Sequence, residues 1–136
     1  TGADIRISQG PGDYTITFND QTKAYTVVKQ GGGLISSYSQ LYFRGTPNGW
    51  ETTPMTLVTD FTWSTTQTFG SAANERFKFD VYGDWSFNFG DNQPDDTAEQ
   101  TGADIPITQG AGAYTITFND QTKTYPVVKN YPRQTF

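Results

Sequence analysis

Residues 1–29 (TGADIRISQGPGDYTITFNDQTKAYTVVK) return as residues 101–129 (TGADIPITQGAGAYTITFNDQTKTYPVVK). The pairs that differ are Arg6/Pro106, Ser8/Thr108, Pro11/Ala111, Asp13/Ala113, Ala24/Thr124 and Thr26/Pro126. Self-similarity at a fixed period marks a repeat array, and a shift of 100 positions is the length of a whole small domain rather than of a solenoid unit. The chain therefore reads as the closing part of one module, a connector and one complete module, a slice of a longer protein.

A module of that length has the size of a compact β-sandwich. With Gly 14, Pro 7 and 15% aromatic residues, the chain favours strands and turns over helices, so an all-β fold is predicted. The formal charge of −5 and pI near 4.4 repel nucleic acid and anionic membranes and suit a neutral or cationic partner. No apolar run approaches the roughly 18 residues of a membrane span, and Thr1 does not open a signal peptide. An acidic, Thr/Asn/Gly-rich surface with Cys 0 is common in exported bacterial proteins, and an extracellular location, secreted or cell-surface, is expected.

Turn chemistry divides the chain into the partial repeat 1–29, a Gly/Ser-rich connector 30–39, a complete module 40–129 and a tail 130–136. Within the module, strands are predicted at 40–44, 55–58, 62–69, 75–81, 86–89, 104–107, 113–118 and 123–128. In the seventh, Tyr114, Ile116 and Phe118 share one face, and an Asn-Asp-Gln-Thr turn then returns Tyr125 and Val127 as a hairpin. Along 75–81, Phe77, Phe79 and Val81 point one way and Arg76, Lys78 and Asp80 the other.

The repeated hairpin poses a physical question, because two strands alone are marginal in water. Residues 1–29 either pack on the same chain's module or a neighbouring molecule, or are donated to an adjacent chain in place of its own closing hairpin. The intramolecular copy has the advantage of effective concentration.

Without His or Cys the commonest general base, thiol nucleophile and zinc ligands are missing. Carboxylates at Asp84, Asp91, Asp95, Asp96 and Glu99 could formally supply a glycosidase pair, but one small sandwich leaves no room for a deep cleft. A non-catalytic binding module is therefore expected. Asp91, Gln93, Asp95 and Glu99 also have the alternating spacing of a calcium loop, although Asp96 stands where such loops carry glycine. A solvated acidic loop explains the same residues.

The aromatic residues carry the functional signal. Trp50 follows Pro47-Asn48-Gly49 and Trp85 follows Gly83-Asp84, so both stand at turns, where a large ring suits the core poorly. Aromatic planes pack on the C–H face of a pyranose while donors and acceptors engage its hydroxyls, and Arg44, Arg76, Lys78, Asn48 and Asp84 are the candidate partners. A loop tryptophan can also fold back as a lid over the core. Trp63, inside a predicted strand, is assigned to the core, and of Tyr42 and Phe43 one is expected inside and the other at the surface.

The segments LYFRGTPNGWETTPMTLVTDFTW, ERFKFDVYGDWSFNFGDN and AYTITFNDQTKTYPVV resemble the immunoglobulin-like starch-binding modules attached to bacterial amylases and pullulanases. They are similar also to domains of outer-membrane starch-binding lipoproteins. The likeness covers about residues 40–128. It implies an immunoglobulin-like sandwich binding α-1,4-linked glucan, with Tyr42 and Trp50 at the stacking positions, Trp85 as the second tryptophan, and Arg44, Arg76 or Lys78 as the polar clamp. The implied partners are starch, glycogen or maltooligosaccharides, a linked glycoside hydrolase and further modules of the parent chain. A structural module of a repeat array, self-associating through residues 1–29, is the competing class, and a ligand-free spacer is a third.

Overall fold

The computed structural model describes residues 2–8, 10–29 and 34–131. Two compact units, 1–34 and 35–136, divide the chain, and each is taken by itself. Connector residues 30–33 and tail residues 132–136 lie outside the described residues.

The first unit is built on one hairpin, β1 (Tyr14–Phe18) paired antiparallel to β2 (Tyr25–Lys29), with Tyr14 opposite Lys29 and Phe18 opposite Tyr25. Its turn is organised by Asn19, whose Oδ1 accepts the amides of Gln21 and Thr22 at 2.9 and 3.0 Å. Such a side-chain acceptor replaces a backbone carbonyl and fixes the reversal locally.

The second unit is an all-β sandwich of two antiparallel sheets. One sheet carries β3 (Tyr42–Gly45), β4 (Thr53–Pro54), β7 (Arg76–Asp80), β8 (Asn88–Gly90) and β9 (Glu99–Gln100) in the order β4-β3-β7-β8-β9, with β10 (Ile105–Pro106) also on β7. The other runs β12-β11-β6-β5, from β5 (Thr56–Thr59), β6 (Thr62–Phe69), β11 (Gly112–Asn119) and β12 (Val127–Asn130). Alternation along β3, β7, β6 and β11 sends Phe43, Phe77, Phe79, Trp63, Phe69, Tyr114, Ile116 and Phe118 into the space between the sheets, all buried. Rings meet across it: Phe79 lies 4.6 Å from Phe118, Phe43 6.1 Å from Phe69 and Phe89 5.5 Å from Phe118, centroid to centroid. Such offset and edge-on pairs add to what apolar burial contributes.

Three differences from the sequence reading have physical causes. The unit begins before residue 40: Ile35 donates to Asp60 Oδ1 and accepts from Phe61, Ser37 donates to Asp120 Oδ2, and Tyr38 packs edge-on against Phe87. Residues 35–38, predicted to be connector, therefore belong to the sandwich, and the Ser37 amide satisfies one oxygen of the buried Asp120. The strand expected at 123–128 starts only at Val127, because Pro126 has no amide to donate while Thr124 bridges to Thr97 and the Tyr125 amide donates to the Asp96 carbonyl at 3.1 Å. In the first unit Thr26 fills that position, and the ladder runs on through Thr17↔Thr26 and Phe18↔Tyr25. The two-residue strands β4 and β9 carry too little pattern for a period to reveal them.

Trp63 is core, at 5% exposure, and its indole Nε1 donates 2.9 Å to Asp120 Oδ2. Phe43 is buried and Tyr42 half-buried, as their alternation requires. Gly90 and Gly102 meet backbone to backbone, since a Cβ on Gly90 would stand 2.1 Å from the Ala103 carbonyl oxygen. That contact seats the start of the repeat segment against β8.

Candidate functional site

The outer face of the β3–β7 pair carries Tyr42, Arg44, Arg76, Lys78 and Asp80, with Arg44 directly opposite Lys78 and Tyr42 opposite Asp80. Two turns close over this face and each ends on a tryptophan. The first is a short 3-10 turn, Thr46–Asn48, followed by Gly49 at φ 64° and Trp50 at φ 66°. Asn48 holds it: its Oδ1 accepts the Gly45 amide at 3.0 Å, and its Nδ2 donates to the carbonyls of Phe43 and Glu51 and to Thr53 Oγ1. The side chain expected to face a ligand is thus spent on the turn that presents Trp50.

The second turn, 81–87, presents Trp85 at φ 68°. A left-handed backbone at a bulky residue costs on the order of 1 kcal/mol or more and persists only where surrounding contacts impose it. Here they are identifiable. Asp80, fully buried, accepts the Gly83 amide on Oδ1 at 3.1 Å and the Trp85 amide on Oδ2 at 3.0 Å, while Asn88 Nδ2 donates to the Trp85 carbonyl at 2.9 Å. Gly83, at φ 77°, closes onto Tyr42, whose ring lies 3.3 Å from where a Cβ would stand. Tyr42 therefore underlies this turn.

The two indoles end up 6.1 Å apart, centroid to centroid, inclined at 45°. Trp85 is 38% exposed and Trp50 half-buried. Cations back both rings: the Arg44 guanidinium carbon lies 4.3 Å from the Trp85 centroid, Lys78 Nζ 5.9 Å from it, and the Arg76 guanidinium carbon 5.8 Å from the Trp50 centroid. At these distances a cation is attracted by the ring face.

The cations differ in what they leave free. Arg44 is almost enclosed, its Nη2 donating to the Gly83 carbonyl at 3.3 Å and its Nε 3.5 Å from Asp80 Oδ2, so it braces the Trp85 turn from below. Arg76 is more exposed and forms an ion pair with Asp104 at 2.8 Å. Burial pulls the Lys78 ammonium below its ordinary range, against the opposing pull of Asp104 and Asp80. Asp84 stands exposed at the tip of the second turn. Hydrogen bonds from the Ser86 hydroxyl and amide hold its carboxyl below the usual range, and Arg44 adds to this.

Alternation places Asp80 on the polar face with Arg76 and Lys78 but does not reveal that the following loop buries it. Asp80 and Asn88 are positioning residues that sequence reasoning missed. The available signal was an acidic residue ending a strand just before a Gly-x-Trp turn. Tyr82, 56% exposed in that loop, also escaped the sequence reading.

The acidic loop lies apart in sequence from both tryptophan turns. Asp91, Asp95 and Glu99 bring one oxygen each to within 4.8 Å of the others. Asp96, where a calcium loop would carry glycine, indeed takes the left-handed φ of 69°. The carboxylates are engaged by the protein itself. Asp91 accepts from the Gln93 and Asp95 amides at 3.0 Å and from the Tyr125 hydroxyl, Asp95 from the Thr97 amide and Glu99 from the Asn92 amide. Burial works against ionisation of Asp91, but the hydrogen bonds from Tyr125, Asp95, Gln93 and Asp96 outweigh it and hold the carboxyl below its ordinary range. Burial, and then Asp91 itself, drive the Tyr125 hydroxyl upward. This donor set explains the loop as a self-closed tie between β8 and the closing hairpin.

No protein-family model and no curated protein matches this chain.

Proposed function

We propose that residues 35–130 form a non-catalytic carbohydrate-binding module for α-1,4-glucan, with Trp50 and Trp85 as its stacking platform. The observation that carries this reading is the pair of tryptophans from separate turns, both in the costly left-handed conformation and 6.1 Å apart at 45°. The buried Asp80 carboxylate and Asn88 hold Trp85, and Asn48 and the Gly45 carbonyl hold the Trp50 turn, so both indoles are fixed at the rim of one face with their rings at least partly open to solvent. An inclined pair of rings suits the curved face of a helical glucan, where successive pyranoses present their C–H surfaces at an angle. Lys78 and Arg76, at the edge of the platform, are the hydroxyl donors of this reading, with Asp84 as acceptor. Arg44, Tyr42 and Asn48 act through the turns they hold.

The reading extends to a module that holds a linked glycoside hydrolase, or further modules of the same protein, on extracellular starch or glycogen. Weak sites in series gain avidity on a polymer of repeated epitopes. The test is a titration with maltoheptaose followed by indole fluorescence, together with affinity gels of amylose, pullulan, dextran and xylan. Trp85→Ala and Trp50→Ala should each lose retention on amylose while melting like the parent chain. Unchanged retention in both variants would falsify the proposal.

A further inference from the structure

The second copy of the repeat shows what the first is built to do. In residues 101–129 the groups that enter the sandwich are Gly102, Ile105, Tyr114, Ile116, Phe118, Asp120 and Tyr125, all buried. Each has an identical counterpart in the first copy: Gly2, Ile5, Tyr14, Ile16, Phe18, Asp20 and Tyr25. The positions that differ fall elsewhere. Pro106, Thr108, Ala111, Thr124 and Pro126 are exposed and Ala113 is only partly covered, so no difference touches a buried residue.

The first hairpin also already has the docked conformation. Lys23 and Lys123 share φ 64° and 66°, Gly10 and Gly110 share φ 82° and 85°, and Gly12 and Gly112 both have φ 144°. Asn19 and Asn119 accept the same two turn amides, and Tyr14 and Tyr114 donate to the carbonyls of Gly10 and Gly110. Yet Ile16 is 66% exposed and Phe18 62% exposed, where Ile116 and Phe118 are fully buried.

We propose that residues 10–29 are a preformed donor hairpin. Its acceptor is a second β-sandwich body built like residues 35–109 but lacking a closing hairpin of its own. The acceptor surface is visible in this chain. It consists of the edge of β6, which pairs with β11 from Gly112↔Phe69 to Asn119↔Thr62, a floor of Phe43, Phe77, Phe79 and Phe89, and the Trp63 indole waiting for an Asp acceptor. Among the described residues there are two such hairpins and one body, and that body is already closed by residues 112–130, so an exchange of these residues between two copies still leaves one hairpin face to be covered.

The test uses full-length chains. Phe18→Asp and Phe118→Asp disable one hairpin each, and the double variant supplies a body with neither. Wild type, whose spare hairpin is intact, should form a one-to-one complex with the double variant on size exclusion with light scattering and restore its near-ultraviolet dichroism. Phe18→Asp alone should fail to do so. Absence of a complex with wild type, or a complex formed equally by Phe18→Asp, overturns the proposal. So does a wild-type chain that dimerises through Phe18 by itself, which would make the occupant another hairpin face rather than a body. None of these outcomes depends on the tryptophan platform, so glucan binding stands or falls separately.

Discussion

The hairpins at 14–29 and 112–130 are almost one sequence in two environments. In both, Asn19 or Asn119 builds the turn and the same aromatic and aliphatic residues line one face. In the second, that face closes a sandwich, with Tyr114 at 1% exposure and Ile116 and Phe118 at 0%; in the first, Phe18 and Tyr25 stand 62% and 50% exposed. Local sequence thus suffices to shape a hairpin, while burial depends on having a body to close. The two hairpins also differ where a single residue differs. Thr26 can both donate and accept in one ladder, whereas Pro126, with no N–H, only accepts, from the Thr117 amide at 3.0 Å.

The comparison can be broken most forcefully at the phenylalanines. Phe118→Ala should cost about 3–5 kcal/mol, since a buried ring is removed and a cavity left, and should lower the sandwich melting temperature by roughly 12 °C or more. Phe18→Ala should stay within about 0.5 kcal/mol of the parent, because that ring is exposed. Equal effects at the two positions, measured by calorimetry, would mean that the first hairpin is covered in solution.

Next in size is the aspartate of the turn. Asp120→Ala leaves the Trp63 Nε1 buried without an acceptor and should cost about 1–3 kcal/mol, whereas Asp20→Ala should leave denaturant midpoints unmoved.

Asp91, which accepts the Tyr125 hydroxyl of the second hairpin, gives a pH handle on the closed sandwich. Its folded value lies below the ordinary 3.8, so its contribution is complete above 3.8 and disappears as pH falls through the folded value. Melting temperatures followed from about pH 5 to about pH 2 should therefore fall less steeply in Asp91→Asn than in the parent, with a lower starting point. Parallel curves would count against the Tyr125–Asp91 tie.

The smallest effect sharpens the comparison instead of breaking it. Thr26→Pro should remove the residue 26 amide from the first ladder and leave the Thr17 amide donating to the residue 26 carbonyl, as Thr117 does to Pro126 at 3.0 Å, with global stability nearly unchanged. Amide hydrogen exchange would report it: the Thr17 amide should keep its protection, and its loss would show that proline at this position disrupts more than one donor.

Much of this is legible in the sequence. The hairpins, Trp63 as core and the alternation of β3 and β7 follow from side-chain period and turn residues, which act over a few positions. The gathering of Arg44, Arg76 and Lys78 behind Trp50 and Trp85 was half legible: their types and turn positions could be read, but their mutual distances depend on how β3 pairs with β7. Asp80 and Asn88 stayed hidden because no local pattern says that a loop will fold over a strand's polar end and use its carboxylate for two amides. Arg44 and Asn48 have the chemistry of ligand contacts, and the fold employs them on backbone carbonyls and amides instead.

By itself the sequence determined the all-β class, the repeat, the hairpin turns and the two tryptophans placed after glycines, since each rests on interactions between near neighbours. Tertiary structure alone decided which of two matching hairpins is buried, which charged groups are enclosed, and that the indoles meet at 6.1 Å. Those outcomes come from long-range strand pairing and from the removal of particular side chains from water, and neither is written in any one stretch of the chain.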